Sequence, residues 1–275
     1  MGYREGDASL RYSVVTSFSP EGWNLYGQNF VETFVYWPRA VKLICVWEGA
    51  PPRGDLNGFD LLETEPARSF FTRHLDDPII AGKVPHPKWP WDKKSEAKGY
   101  NFRFDAYKFA HKVFALTAAS RYVEDGKLFW LDADVITHAP VSLELLDRVL
   151  PDLAAISYLP RHDYTHSECG FIGFNLDHNH TRRFLAAFED VYASDDFTKL
   201  EAWHDSFVFD RLVEWRKPPA FHLEHDSKSQ PFDNSVLGNC MTHLKGRRKH
   251  GEPGWVEFRA SSKSPLTARK AAAGV

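Results

Sequence analysis

One stretch constrains this chain more than any other: Lys127-Leu128-Phe129-Trp130-Leu131-Asp132-Ala133-Asp134-Val135-Ile136. The apolar run from Leu128 to Leu131 has the length of a buried strand, and polar residues flank it. It ends in two carboxylates one residue apart. Burying a carboxylate without a partner is costly, so two acids at the end of a buried strand call for a cation. In an extended segment, side chains two apart point the same way, so Asp132 and Asp134 can address one ion. Hard cations such as Mg²⁺ and Mn²⁺ take oxygen ligands of this kind and fill their remaining positions with water and phosphate. The competing reading is a surface turn with two solvated acids.

The rest of the chain supplies a frame for that strand. Its 275 residues suffice for one large α/β domain or two small ones. Arg11 to Phe18 reads as a first strand ending in hydroxyls, with Thr16 and Ser17 as candidate nucleotide contacts. Plain turn residues are the alternative there. Pro20 to Trp37 reads as a helix capped by Ser19, with Pro20 at its first position. Val41 to Trp47 is a second short apolar strand. Strand, helix, strand at this spacing predicts a parallel βαβ unit, and ligands in such sheets sit beyond the carboxyl ends of the strands.

Leu61 to Ala81 reads as helical or mixed. Lys83 to Tyr100 reads as a loop without regular structure, because it holds Pro85, Pro87 and the cluster Lys88-Trp89-Pro90-Trp91. Asn101 to Ser120 reads as a strong helix with Asp105, Lys108 and Lys112 on one face. Such a row is normally solvated; its place before the Asp pair makes Lys112 a candidate anion contact. Pro140 and Ser142 start a short helix through Leu150, and Leu153 to Leu159 is a further strand. In Glu168-Cys169-Gly170-Phe171-Ile172-Gly173-Phe174-Asn175, glycines interrupt bulky residues, which predicts close approach of a backbone or ligand. Asn179 to Tyr192 and Ala202 to Trp215 read as amphipathic helices, the second opening on Trp203-His204-Asp205-Ser206.

The last informative stretch is Met241 to Lys249. His243 is a candidate metal ligand. Gly246 permits backbone approach to a phosphate, and Lys249, Arg247 or Arg248 would neutralise it. A basic surface turn is the alternative reading.

Composition excludes several classes. A net charge of −3 gives no global electrostatic case for nucleic-acid binding. Cys45, Cys169 and Cys240 are widely spaced and form no disulfide framework, which predicts a reducing, cytoplasmic setting. No apolar run approaches the roughly 18 residues of a membrane span. No internal repeat is visible. Residues 1–10 read as an extension, 11–258 as one domain and 259–275 as a flexible tail.

Leu131-Asp132-Ala133-Asp134 followed by a distant His243-x-x-Gly246-x-x-Lys249 resembles the glycogenin and bacterial lipopolysaccharide galactosyltransferase family. The resemblance spans about residues 11 to 250, with the motifs in the family's order. It implies a GT-A fold: an α/β, Rossmann-like nucleotide-diphospho-sugar transferase with a mostly parallel central sheet flanked by helices. It also implies a retaining hexosyltransferase that uses a nucleotide-sugar, UDP-linked by analogy, with Mn²⁺ or Mg²⁺ as cofactor. On that resemblance Asp132, Asp134 and His243 are the metal ligands. Asp132 also contacts the donor, as do Lys112 and the diphosphate-binding Gly246 and Lys249. Gly170 to Asn175 resembles the sugar-side and acceptor-side strand. Asp205 resembles the acid of the family's Asp-Gln pair, and Asp205 or Glu168 is expected to stabilise the oxocarbenium-like cation or act as nucleophile. The sequence differs at Ser206, where the family has Gln, and in lacking Pro-Trp after the terminal lysine. It looks, too, like phage-encoded glycosyltransferases.

The implied acceptor is a saccharide or lipid-linked glycan. Lys83, Lys88, Lys93, Lys94 and Lys98 interleaved with Trp89 and Trp91, together with Lys245 to Lys249, admit a second acceptor, a hydroxymethylated base in DNA. Two other classes compete. A sugar nucleotidyltransferase would carry a basic, Gly-rich loop after the first strand; Thr16 to Gly22 holds one glycine and no lysine or arginine. A non-catalytic nucleotide-sugar-binding module would be expected to lose a metal ligand, and all three are present.

Overall fold

The computed structural model describes residues 11–49, 51–85, 92–161, 166–225 and 230–245. Strand β1 (Tyr12–Phe18) leads into a helical stretch whose N-cap is Ser19, accepting from the Gly22 amide. That stretch is α1 (Pro20–Gly22), a π-helical turn (Trp23–Gly27) and α2 (Gln28–Thr33). The π turn was not legible from periodicity, which suggests one continuous helix. β2 (Val41–Trp47) returns parallel to β1, as the spacing predicts, and β3 (Gly58–Asp60) adds a parallel edge.

α3 (Glu65–Arg73) follows a short 3₁₀ turn. The region expected to be structureless contains α4 (Lys93–Lys98), a correction to the loop reading. Its signals are local: Asp92 caps the start by accepting from the Ser95 amide, and Gly99 closes the end at φ 59°. Lys88-Trp89-Pro90-Trp91 lies outside the described residues. α5 (Ala106–Val123) starts five residues later than the apolar pattern suggests. Asp105 is its N-cap, accepting from the Lys108 amide, so Phe102–Phe104 is a separate 3₁₀ turn.

β4 (Lys127–Leu131) is buried throughout. β5 (Val135–Thr137), α6 (Leu143–Val149) and β6 (Ile156–Leu159) follow. β7 (Glu168–Asn175), α7 (Asn179–Ala193), α8 (Asp205–Arg216), β8 (Ala220–His222) and β9 (Met241–His243) are the remaining α-helices and strands of the described residues. The seven-stranded sheet runs β3-β2-β1-β4-β7-β6-β8. Its pairings are parallel except at β7, which is antiparallel to both neighbours.

Alternation along the strands builds a core on each face. On β4, Leu128 and Trp130 join the cluster under α3, α5, α7 and α8, whereas Phe129 and Leu131 join the cluster that includes Phe30 of α2 and Leu146 of α6. Among the described residues, no helix is long and apolar enough to cross a membrane. The three cysteines are buried and free.

Candidate functional site

The site forms where β4 ends. The Asp132 amide donates to Gly170 O at 3.0 Å, and the Val135 amide donates back to Asp132 O at 2.9 Å. Asp132, Ala133 and Asp134 therefore make a turn, not the extended segment expected from the sequence. The two carboxylates still converge. β5 leaves the turn and pairs antiparallel with β9, in a register that sets Val135 opposite His243. This two-stranded ribbon carries His243 across more than a hundred residues of sequence to the Asp pair. His243 Nε2 lies 3.0 Å from Asp134 Oδ1 and 3.6 Å from Asp132 Oδ2.

Asp132, Asp134 and His243 each offer one ligand atom, and these atoms lie within 4.8 Å of one another. Asp134 and His243 are buried, and Asp132 is half-buried. Two carboxylates and an imidazole suit a divalent cation, and the packing of like charges at this distance fits such a group. Burial alone would lower the His243 pKa, but Asp134, Glu168 and Asp132 around it raise it to about 9.

Asp132 is held from behind. Trp130 Nε1 donates to Asp132 Oδ1 at 2.7 Å, and Lys112 Nζ lies 2.8 Å from the same oxygen. That leaves Asp132 Oδ2 as its atom toward His243. Sequence reasoning treated Trp130 only as strand core; its place two residues before Asp132, on the same side of β4, was the available signal. Lys112 projects from α5 and donates to Cys169 O at 2.6 Å and Asp205 Oδ2 at 2.7 Å. Burial would lower the lysine pKa, but Asp132 and Asp205 raise it above its ordinary value. Lys112 is thus a mostly enclosed tie between two carboxylates, its side chain 11% exposed, whereas its neighbours on the expected face part company: Lys108 is exposed and Asp105 is a buried cap.

β7 runs antiparallel to β4, with Leu131 opposite Phe171, so its first residues reach the end of β4. Glu168 is buried, 4% exposed, and both its oxygens are engaged. Oε1 accepts from the Gly170 amide at 3.1 Å and lies 3.3 Å from His243 Nδ1. Oε2 meets Arg161 and Lys245. Burial would raise the Glu168 pKa, but His243 and Lys245 pull it well below the ordinary carboxylate range. The close approach expected beside the β7 glycines is made by side chains: the His243 imidazole beside Gly170 and Ser157 Oγ beside Gly173.

These residues open onto a cleft of about 1090 Å³ beyond the carboxyl ends of β1, β2 and β4. Ser17 lines it, whereas Thr16 is fully buried and does not. Asp205, the first residue of α8, lines it beside Ser206. Tyr26 from the π turn and Glu48 after β2 also reach it, and neither stood out in the sequence. Gly246, Arg247, Arg248 and Lys249 lie outside the described residues.

The architecture as a whole matches solved structures. An active-site mutant of LgtC superposes with a TM-score of 0.51 over 90% of this chain and 94% of that one, at 13% identity. The fold is GT-A. The LgtC match at this identity speaks to the GT-A fold alone. The WbbM bifunctional glycosyltransferase aligns with a TM-score of 0.46 at 12% identity over 90% of this chain, which spans about half of WbbM (51%). The glycosyltransferase GlyE of Streptococcus pneumoniae aligns with a TM-score of 0.48 at 11% identity, over 94% of this chain and 62% of GlyE. No family model and no curated protein sequence matches the chain.

Proposed function

We propose that this chain is a metal-dependent glycosyltransferase. It moves a hexose from a nucleotide-sugar, UDP-linked, to an acceptor hydroxyl with retention of anomeric configuration. The observation that carries the reading is the convergence of Asp132, Asp134 and His243 on a large cleft at the carboxyl edge of a GT-A sheet.

Asp132 Oδ2, Asp134 and His243 Nε2 would hold the cation, Mn²⁺ or Mg²⁺. When bound, it supplies Lewis-acid neutralisation of the leaving diphosphate. The chain's own residues do the remaining work. Trp130 and Lys112 fix Asp132 through Oδ1, so its second oxygen is presented to the site. Lys112 also fixes Asp205 at the start of α8, where the buried carboxylate faces the cleft. Asp205 would stabilise the positive charge that develops at the anomeric carbon as the diphosphate departs. Ser17, which lines the cleft, would contact the donor through its hydroxyl, and Gly246 and Lys249 remain the proposed diphosphate contacts from the sequence motif.

The proposed acceptor is a glycan. A hydroxymethylated base in DNA rests on basic clusters, and one of their members, Lys245, is paired with Glu168. Turnover of UDP-sugars with Mn²⁺, with and without EDTA, tests the activity. Proton NMR of the product from an α-linked donor tests retention: an α-linkage is expected, and a β-linkage means an inverting enzyme. Synthesis of a sugar nucleotide from nucleoside triphosphate and sugar phosphate, with no transfer to acceptors, would replace this reading with a nucleotidyltransferase. Labelled sugar appearing on hydroxymethylated duplex, and on no oligosaccharide, would replace the glycan acceptor.

A further inference from the structure

Glu168 has the residue type of a nucleophile but not the surroundings of one. It is 4% exposed, and neither oxygen is turned unpartnered toward the cleft. Its Oε1 is pinned by the Gly170 amide at 3.1 Å and faces His243 Nδ1 at 3.3 Å. Its Oε2 is pinned by Arg161 and Lys245. On the far side of the same imidazole, Nε2 points at Asp134 and Asp132. The ring is thus bracketed, with one nitrogen toward a fixed carboxylate and the other toward the metal site.

We infer that Glu168 is a positioning residue that fixes the His243 tautomer, accepting a hydrogen bond from Nδ1–H so that the Nε2 lone pair faces the cation. The inference rests on the metal site proposed above and moves Glu168 out of the nucleophile role. The physical reason is the asymmetry of neutral imidazole. One ring nitrogen carries the proton and the other the lone pair, and the partner of the first decides which is which. A carboxylate accepts and cannot donate, so Glu168 selects the tautomer that ligates through Nε2. Arg161 and Lys245 hold Glu168 from the opposite oxygen, which keeps Oε1 in place. Gly170 completes the bracket, because its missing side chain leaves room for the ring and its amide anchors the acid.

Two measurements decide this without any assay of turnover. Calorimetric titration with Mn²⁺ compares the wild-type protein with Glu168→Ala, with circular dichroism confirming the fold. Loss of an outer carboxylate of this kind costs about 10–100-fold in metal affinity, and that drop is expected. The second measurement uses the wild type alone, so it stands even if Glu168→Ala does not fold. Nitrogen-15 spectra of histidine-labelled protein loaded with Zn²⁺, assigned against His243→Gln, should show His243 protonated at Nδ1 and metal-bound at Nε2. Unchanged Mn²⁺ affinity in a folded Glu168→Ala, or ligation through Nδ1, overturns the inference while leaving the metal site standing. A wild type that takes up neither metal removes the proposed function itself.

Discussion

Gly170 packs directly on His243: a Cβ added to Gly170 would stand 2.4 Å from both Cε1 and Nδ1 of the imidazole. No real side chain tolerates that distance, and the ring is held on its other edge by Asp134. Gly170→Ala should therefore push His243 off the carboxylate pair. The expected result is a fall in Mn²⁺ affinity of about tenfold or more, comparable to losing an outer-sphere partner. The strand itself should survive, because Gly170 contributes no side-chain packing. Calorimetry showing wild-type Mn²⁺ binding in this variant would mean that His243 does not ligate.

Asp132 and Asp134 are not equivalent, and their variants should differ. Asp134 is buried beside His243, whereas Asp132 is half-buried and has Trp130 and Lys112 on one oxygen. Asp132→Asn and Asp134→Asn should each abolish most Mn²⁺-dependent hydrolysis of a UDP-sugar. Asp132→Asn should also loosen Lys112, which then keeps only Asp205 as an anionic partner. Full activity of both variants, or of the parent in excess EDTA, would contradict the metal reading.

Lys112 is 11% exposed and lies within 2.8 Å of one carboxylate and 2.7 Å of another. Removing one partner of a buried ion pair costs about 3–5 kcal/mol, because the remaining charge is left uncompensated. Lys112→Met should therefore destabilise the fold by an amount of that order. Asp205→Asn should cost less, since Lys112 keeps Asp132. Urea unfolding of the two variants orders them; equal and small losses would show that solvent reaches the cluster.

The frame of the fold could be read from the chain. β1, β2, β4 and β6 read as short strands, and Ser19, Pro20 and Ser142 mark helices by capping chemistry that works within four residues. The site was legible in its residue types and not in its geometry. Asp132 and Asp134 converge through a turn held by Val135 N–H, which alternation does not reveal. The β5–β9 ribbon is three residues on each side, too short for a period to show, yet its register brings His243 to the Asp pair. Glu168 was visible as an acid beside glycines, but its partners Arg161 and Lys245 come from a separate stretch and another strand's end. The Lys245 pairing, 77 residues away, is settled by tertiary packing. The start of α5 is hidden for a different reason: aromatic residues at 102 and 104 continue the apolar pattern through a 3₁₀ turn that Asp105 terminates.

Glu48 supplies the pH-dependent test. It follows β2 and lines the cleft, and burial pushes its pKa up from 4.5 to about 7. His111 Nε2 lies 3.5 Å away but offers no positive charge near neutrality, because burial lowers its pKa to about 4. The sign follows from proton affinity. The folded state binds the Glu48 proton more tightly than the unfolded chain does, so this group's contribution to stability is fully present below about pH 4.5. It is lost as pH rises through about 7, where the folded protein must bury a carboxylate. At 1.36 kcal/mol per unit, the full loss is about 3 kcal/mol. Glu48→Gln cannot ionise and escapes it. Relative to wild type, the variant should gain stability from pH 4.5 to 8, approaching about 3 kcal/mol at the upper end, with no advantage at the lower. Urea unfolding at pH 4.5, 6 and 8 measures the difference directly. A difference that stays flat across this range would mean that Glu48 ionises in the folded protein as it does in water, and that solvent reaches this wall of the cleft.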